Sequence, residues 1–223
     1  MVPARVSEFT LEEFRKSAAS EESVPAGVAI AAVSASLALG LLAKVLTIAG
    51  RRRDFGGDPS QTEALAKAAK DQSERMLAYA EEDIAAFSAY IASVRGSNKS
   101  AGERKELQRA LDAATRKAIE IPMGAARAAA SGIGLCADAA GLVHSLVAAD
   151  LGTAATILSA AQRVFLMCAD SNLKLLASDP TEYEALMVGR KELELSAHRQ
   201  AQSVLRQVTT AIETANTDGG RNH

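Results

Sequence analysis

The chain has 223 residues and a net charge of −2; 48% of its residues are hydrophobic, 4% are aromatic, and tryptophan is absent. That length is enough to bury a substantial core, while the near-neutral charge and the scarcity of aromatics exclude the basic footprint and stacking platforms of a nucleic-acid binder. The two cysteines, Cys136 and Cys168, and the three scattered histidines lack metal-ligand or redox spacing, so no metal site is expected and both thiols read as buried and unpaired.

The N-terminus, MVPARVSEFTLEEFRKS, mixes charges of both signs and lacks the apolar stretch of a secretory signal, so a cytoplasmic location is expected. A short helix opens at Thr10, where Thr10 and Glu13 have the spacing of a capping box. Ser20 to Pro25 reads as a turn. A second helix covers about Ala26 to Arg51 and contains no charged side chain before Lys44. The loop DFGGDPS follows, with Asp58 or Ser60 as cap. The third helix runs from Gln61 to about Val94, with Leu65, Met76, Ile84, Phe87 and Ile91 as its apolar stripe. After RGSNKS, a highly charged helix is capped by Ser100. Pro122 is read as the start of another apolar helix, to about His144. One more runs from about Ala149 to Leu176, SDP marks a stop, and Asp179-Pro180 opens the last, to about Asn216. No segment alternates with the period of a strand. The expected fold is therefore all-α: about six to seven helices around a central apolar helix rich in small residues. It forms one domain over residues 1–217, with a disordered tail at 218–223.

The segment from Pro25 to Phe55 decides most. It is long enough to span a membrane, and Arg51, Arg52 and Arg53 follow it in the positive-inside sense. Against a span stand its Ala and Ser content and its lack of an aromatic belt. The helices after Pro122 and Ala149 are also apolar beyond a single stripe, yet carry Arg127, Asp138, Asp150, Arg163 and Asp170. Such helices need a central partner inside the protein, so no membrane is expected. Gly27, Ala31, Ala35 and Ala38 follow three- and four-residue steps that permit close helix approach, within the bundle or across a dimer axis.

Four places in this helical frame resemble the cyclodeaminase/cyclohydrolase family, which includes the cyclodeaminase domain of formiminotransferase-cyclodeaminase and the methenyltetrahydrofolate cyclohydrolases. Pro25-Ala26-Gly27-Val28-Ala29-Ile30-Ala31-Ala32, followed at the right distance by Gly50-Arg51-Arg52-Arg53-Asp54-Phe55, is similar to the family's glycine-rich loop, small-residue helix and basic turn. Asp83-Ile84-Ala85-Ala86-Phe87 matches an Asp-x-x-Ala-Phe motif, and Ile121-Pro122-Met123 a proline-led helix start. Leu146-Val147-Ala148-Ala149-Asp150-Leu151-Gly152 and Cys168-Ala169-Asp170-Ser171-Asn172 match two later segments, with Leu146 and Cys168 standing where the family has asparagine. The family's glycine triplet is here Ala26-Gly27-Val28, so a Val28 side chain would enter the ligand space or divert the loop.

The resemblance implies an all-helical homodimer that opens or closes C–N bonds of a one-carbon tetrahydrofolate, with the folate derivative as substrate and no cofactor required. The alternatives are a different substrate in specialised metabolism, or a non-catalytic helical binding protein. On the resemblance, Asp150 and Asp83 are the catalytic carboxylates, placed to stabilise an amidinium-like cation or to deprotonate water. Gly27 and Asn172 would hold the ligand, and Arg51 or Arg53 its anionic end. Each also has a plain structural reading. Asp150 reads as a helix cap, Asp83 as part of a solvated face, and Asn172 as an interhelical amide. The arginines would complement a helix dipole. Lys44 is left open between a snorkelling side chain, a buried ion pair and a ligand contact. Arg163 and Asp170 read as a structural pair between helices.

Overall fold

The computed structural model describes residues 5–52, 56–94, 101–173 and 180–219. A 3-10 turn, Val6–Glu8, leads into α1 (Leu11–Ala18), where Thr10 accepts from the Glu13 amide and Glu13 returns the bond to the Thr10 amide, completing the capping box. Five long helices follow: α2 (Gly27–Gly50), α3 (Pro59–Val94), α4 (Ala101–Ala139), α5 (Ser145–Leu173) and α6 (Pro180–Gly219). Among the described residues there is no strand. The residue contacts set each long helix antiparallel to the next. Ser36 meets Ser73 across α2 and α3, Gln72 meets Ser131 across α3 and α4, Asn172 meets Ala118 across α5 and α4, and Gln162 meets Leu193 across α5 and α6.

The second helix is central, packed on α3 and α5 and more lightly on α4. Its Leu39, Leu42, Val45 and Leu46 are fully buried, each worth roughly 1.5–3 kcal/mol of burial. Both α2 and α5 are long and apolar enough to cross a membrane; in the bundle the larger share of α2 faces protein. Its hydroxyls are satisfied locally. Ser34 and Thr47 donate to the carbonyls of Ile30 and Ala43, and Ser73 of α3 donates to the Ser36 carbonyl. Ala31, Ala35 and Ala38 are buried inside the protomer, so that small-residue row serves packing within the bundle.

One expectation is corrected. Pro122 does not begin a helix; it lies inside α4, which continues through it. Proline has no N–H and leaves the carbonyl four residues back without its helical donor. Here that carbonyl belongs to Ala118, and Nδ2 of Asn172 donates to it at 3.0 Å from α5. The neighbouring helix supplies what the proline removes, and the helix survives. The ends of two other helices also differ: α5 begins at Ser145 and α6 reaches Gly219. The segments RGSNKS and 174–179 and the last residues of the tail, 220–223, lie outside the described residues.

Candidate functional site

The N-terminus of α2 is the centre of the site. A turn containing the cis Val24–Pro25 bond delivers the chain to Ala26, the N-cap, which has no side chain to accept from the first amides, and no acidic residue sits in the first turn. Helix N-termini without a cap leave N–H groups available to an acceptor. Gly27 faces α5: a Cβ there would lie 3.4 Å from Sγ of Cys168 and 3.9 Å from Val164. Both are ordinary contact distances, so a Cβ would fit at this exposed position. Val28 is buried in the core, so its side chain is taken up by packing inside the bundle.

Asp83 of α3 reaches the same end. Burial pushes its carboxyl up to about 6, because the charged form loses hydration without gaining a counter-charge. Cys168 lies close enough to feel it: burial first, and then the Asp83 charge, holds the thiol above its usual range. That thiol is protonated at neutral pH and a poor nucleophile. Cys136, buried in the core, is pushed further, to about 12. Asn172, one turn beyond Cys168, is half-buried, and its Nδ2 donates to the carbonyls of Ala118 and Cys168. Its two amide hydrogens are thereby engaged, so Oδ1 is the atom it can offer a ligand. Phe87 follows Asp83 by one turn of α3, partly exposed, with its ring centroid 6.2 Å from that of Tyr90.

The neighbouring groove between α3 and α4, of about 720 Å³, is lined by Arg75, Tyr79, Tyr90 and Lys117 over an alanine floor. Arg75 stacks 4.2 Å over the Tyr79 ring and bonds Glu82 at 2.9 Å. Gly124 permits this wall, since a Cβ there would sit 2.8 Å from the Tyr79 hydroxyl.

Three of the residues expected from sequence have Cys168 as a common neighbour: Gly27 faces its sulfur, the Asp83 charge acts on its thiol, and Asn172 donates to its carbonyl. Others stand apart. Asp150 is in the second turn of α5, half-buried and inside the helix rather than at its cap; it lies about 27 Å along the helix from Cys168. Lys44 is exposed, about 25 Å along α2 from Gly27. Arg51 is the C-cap of α2, at the opposite end of that helix, and borders a second groove with Pro59, Glu63 and Lys67. Arg53 lies outside the described residues. Asp170 pairs with Arg190 of α6 at 2.9 Å rather than with Arg163, which is exposed. Cys168 is the member that sequence reading left among the inert thiols; its four-residue spacing from Asn172 on α5 was the available signal. No cluster able to hold a metal ion occurs among the described residues.

Fold and site together define a helical-bundle protein whose central helix opens, at its bare N-terminus, onto a carboxyl, an amide and a thiol. The model of the formiminotransferase-cyclodeaminase family matches residues 10–214, and the chain belongs to that family. Among solved structures, it is similar to formiminotetrahydrofolate cyclodeaminase from Thermotoga maritima, with a TM-score of 0.75 over 94% of this chain and 98% of the other. The two share 20% identity, and the likeness is one of fold. No curated protein matches the chain.

Proposed function

We propose that the chain is an enzyme acting on C–N bonds of a one-carbon tetrahydrofolate, such as its formimidoyl or methenyl derivative, or of a closely related heterocycle. The observation that carries this reading is Asp83, a carboxyl raised to about 6 beside the uncapped start of α2. A group with that pKa exchanges protons readily near neutrality. In cyclodeamination, N10 of the substrate bonds to the carbon of the protonated formimidoyl group, Asp83 takes the N10 proton and passes it to the amino nitrogen on that carbon, and the C–N bond breaks as ammonia leaves. In methenyl hydrolysis, the same carboxylate takes a proton from the water that bonds to the carbon; one of that carbon's two C–N bonds then breaks, its nitrogen taking the proton back from Asp83, and the remaining hydroxyl proton leaves to solvent as the formyl group forms. In both, the carboxylate faces a cationic amidine whose charge it stabilises. Gly27 keeps the helix start open to the substrate, and Oδ1 of Asn172 accepts from it. Arg75 and Lys117, which line the groove between α3 and α4, could take an anionic tail.

The test is spectrophotometric. Purified protein should consume methenyltetrahydrofolate or convert the formimidoyl derivative to it, and Asp83→Asn should lower kcat at least ~100-fold. Wild-type protein that neither turns over nor binds either compound would sink the folate reading. A second reading, a binding protein that kept the fold without the chemistry, is favoured by Asn172, whose amide hydrogens are spent on Ala118 and Cys168. It predicts folate binding without turnover, unchanged by Asp83→Asn.

A further inference from the structure

The last turn of α5, which ends at Leu173, carries Asp170. A carboxylate in that place meets the negative end of the helix dipole and by itself loosens the turn. Arg190 of α6 meets it from across the helix pair. Its Nε lies 3.0 Å from Oδ1 and 3.1 Å from Oδ2 of Asp170, and its Nη2 lies 2.9 Å from Oδ2. Its Nη1 donates to Glu194, one turn further along α6. All three guanidinium nitrogens are thus engaged, in the planar fork that suits a carboxylate. Only 17% of the Arg190 side chain is exposed. Burial works against its charge, and the two carboxylates more than offset that, holding the guanidinium above its ordinary range.

What this tie holds in place lies on the other side of α5. Asp170 and Asn172 are two residues apart, so they project from opposite sides of the helix. Asn172 reaches α4, where Nδ2 donates to the Ala118 carbonyl at 3.0 Å, while Arg190 draws the opposite side toward α6. Further back, the buried Gln162 donates to the Leu193 carbonyl at 3.3 Å and ties the middle of α5 to α6. The Asp170–Arg190 pair comes about two turns later, at the end where Cys168 and Asn172 lie. Without Arg190 the Asp170 charge would stand uncompensated at the helix terminus, and breaking such a pair is worse than removing both partners. The last turn would fray and withdraw Asn172 from Ala118 and from the site.

We infer that Arg190 is a positioning residue: from α6 it holds Asp170 at the end of α5 and so keeps Asn172, on the far side of the same turn, set toward the substrate. The inference rests on the proposed function for the ligand that Asn172 meets; the mechanical link from Arg190 to Asn172 is the same whatever that ligand is.

Amide hydrogen exchange of the full chain reads that link without a substrate. Arg190→Met should speed exchange of residues 170–173 at least ~10-fold while α2 stays within about twofold of wild type. Adding Asp170→Asn should recover most of that protection, because the stranded charge is gone. Glu194→Gln removes a carboxylate but keeps the tie to α5, and should change residues 170–173 by less than about twofold. In a steady-state assay with methenyltetrahydrofolate, Arg190→Met should raise KM ~10-fold and leave kcat within about threefold, as loss of a binding contact does. Unchanged exchange at 170–173, exchange raised equally in every helix, a double variant as loose as the single one, or a Glu194→Gln effect equal to that of Arg190→Met would each overturn the proposal. So would a fall in kcat at constant KM. Wild type that neither binds nor turns over the folate sinks the folate reading alone; the exchange pattern then decides whether Arg190 sets Asn172.

Discussion

Asp83 ties stability to acidity. Its carboxyl moves from 3.8 to about 6 on folding, so between those values the folded chain holds a proton that the unfolded chain has released. Stability therefore falls as pH rises through that window and is unaffected by this group below it. Replacing Asp83 by Asn should leave stability at about pH 4 unchanged and raise it by ~1–2 kcal/mol at about pH 8, less than the full shift would give because solvent screens the partly exposed side chain. Chemical denaturation at the two pH values measures both; equal effects at the two would disprove burial as the cause of the shift. A carboxyl kept at such a cost is typical of a working site. From sequence, Asp83 beside Glu81 and Glu82 has the look of a solvated face. What separates it from them is its register on α3: it continues the row of Met76 and Ala80, which are fully buried. That register was legible; the loss of hydration it brings was not, since burial depends on the start of α2 and the end of α5 meeting there.

At the scale of the element, α4 shows how one helix borrows from another. Proline inside a helix ordinarily breaks it, and reading Pro122 as a helix start follows from that rule. The rule is overridden by a residue fifty positions away in α5, since Asn172 donates to the Ala118 carbonyl that Pro122 cannot reach. No local pattern announces such a bond, whereas the other long helices are legible because their apolar periodicity is local. The arrangement makes a coupled prediction. Asn172→Ala should destabilise the protein by ~1–3 kcal/mol by stranding a carbonyl. In a Pro122→Ala background, where residue 122 regains its N–H, the same change should cost less than ~1 kcal/mol. Thermal melts of the four-protein cycle give the coupling; equal costs in both backgrounds would show that Asn172 does not serve the proline. The cycle also bears on the site, because an asparagine committed to structure has only its carbonyl left for a ligand.

At the scale of the molecule, the hydropathy of α2 has two sides. The side formed by Leu39, Leu42 and Leu46 is the axis on which α3 and α5 pack; the side of Ile30, Leu37 and Ile48 is open. Composition alone makes the helix apolar all round, and sequence reading correctly placed it at the centre of an all-α bundle. It could not say which side a neighbouring helix covers, because α5 arrives from far along the chain. The candidate site residues divide in the same way. Those at the start of α2 gather from three helices into one cluster, while Lys44 and Arg51 share only the helix with it. A central helix also makes the bundle cooperative. Leu39→Ala removes a fully buried side chain that packs near Gly132 of α4 and Leu158 of α5, and should cost ~3–4 kcal/mol. Because those contacts join three helices, amide hydrogen exchange should show protection lost by a similar factor along α2, α4 and α5. Loss confined to α2 would mean that the central helix can open alone and that the surrounding helices form a stable unit without it.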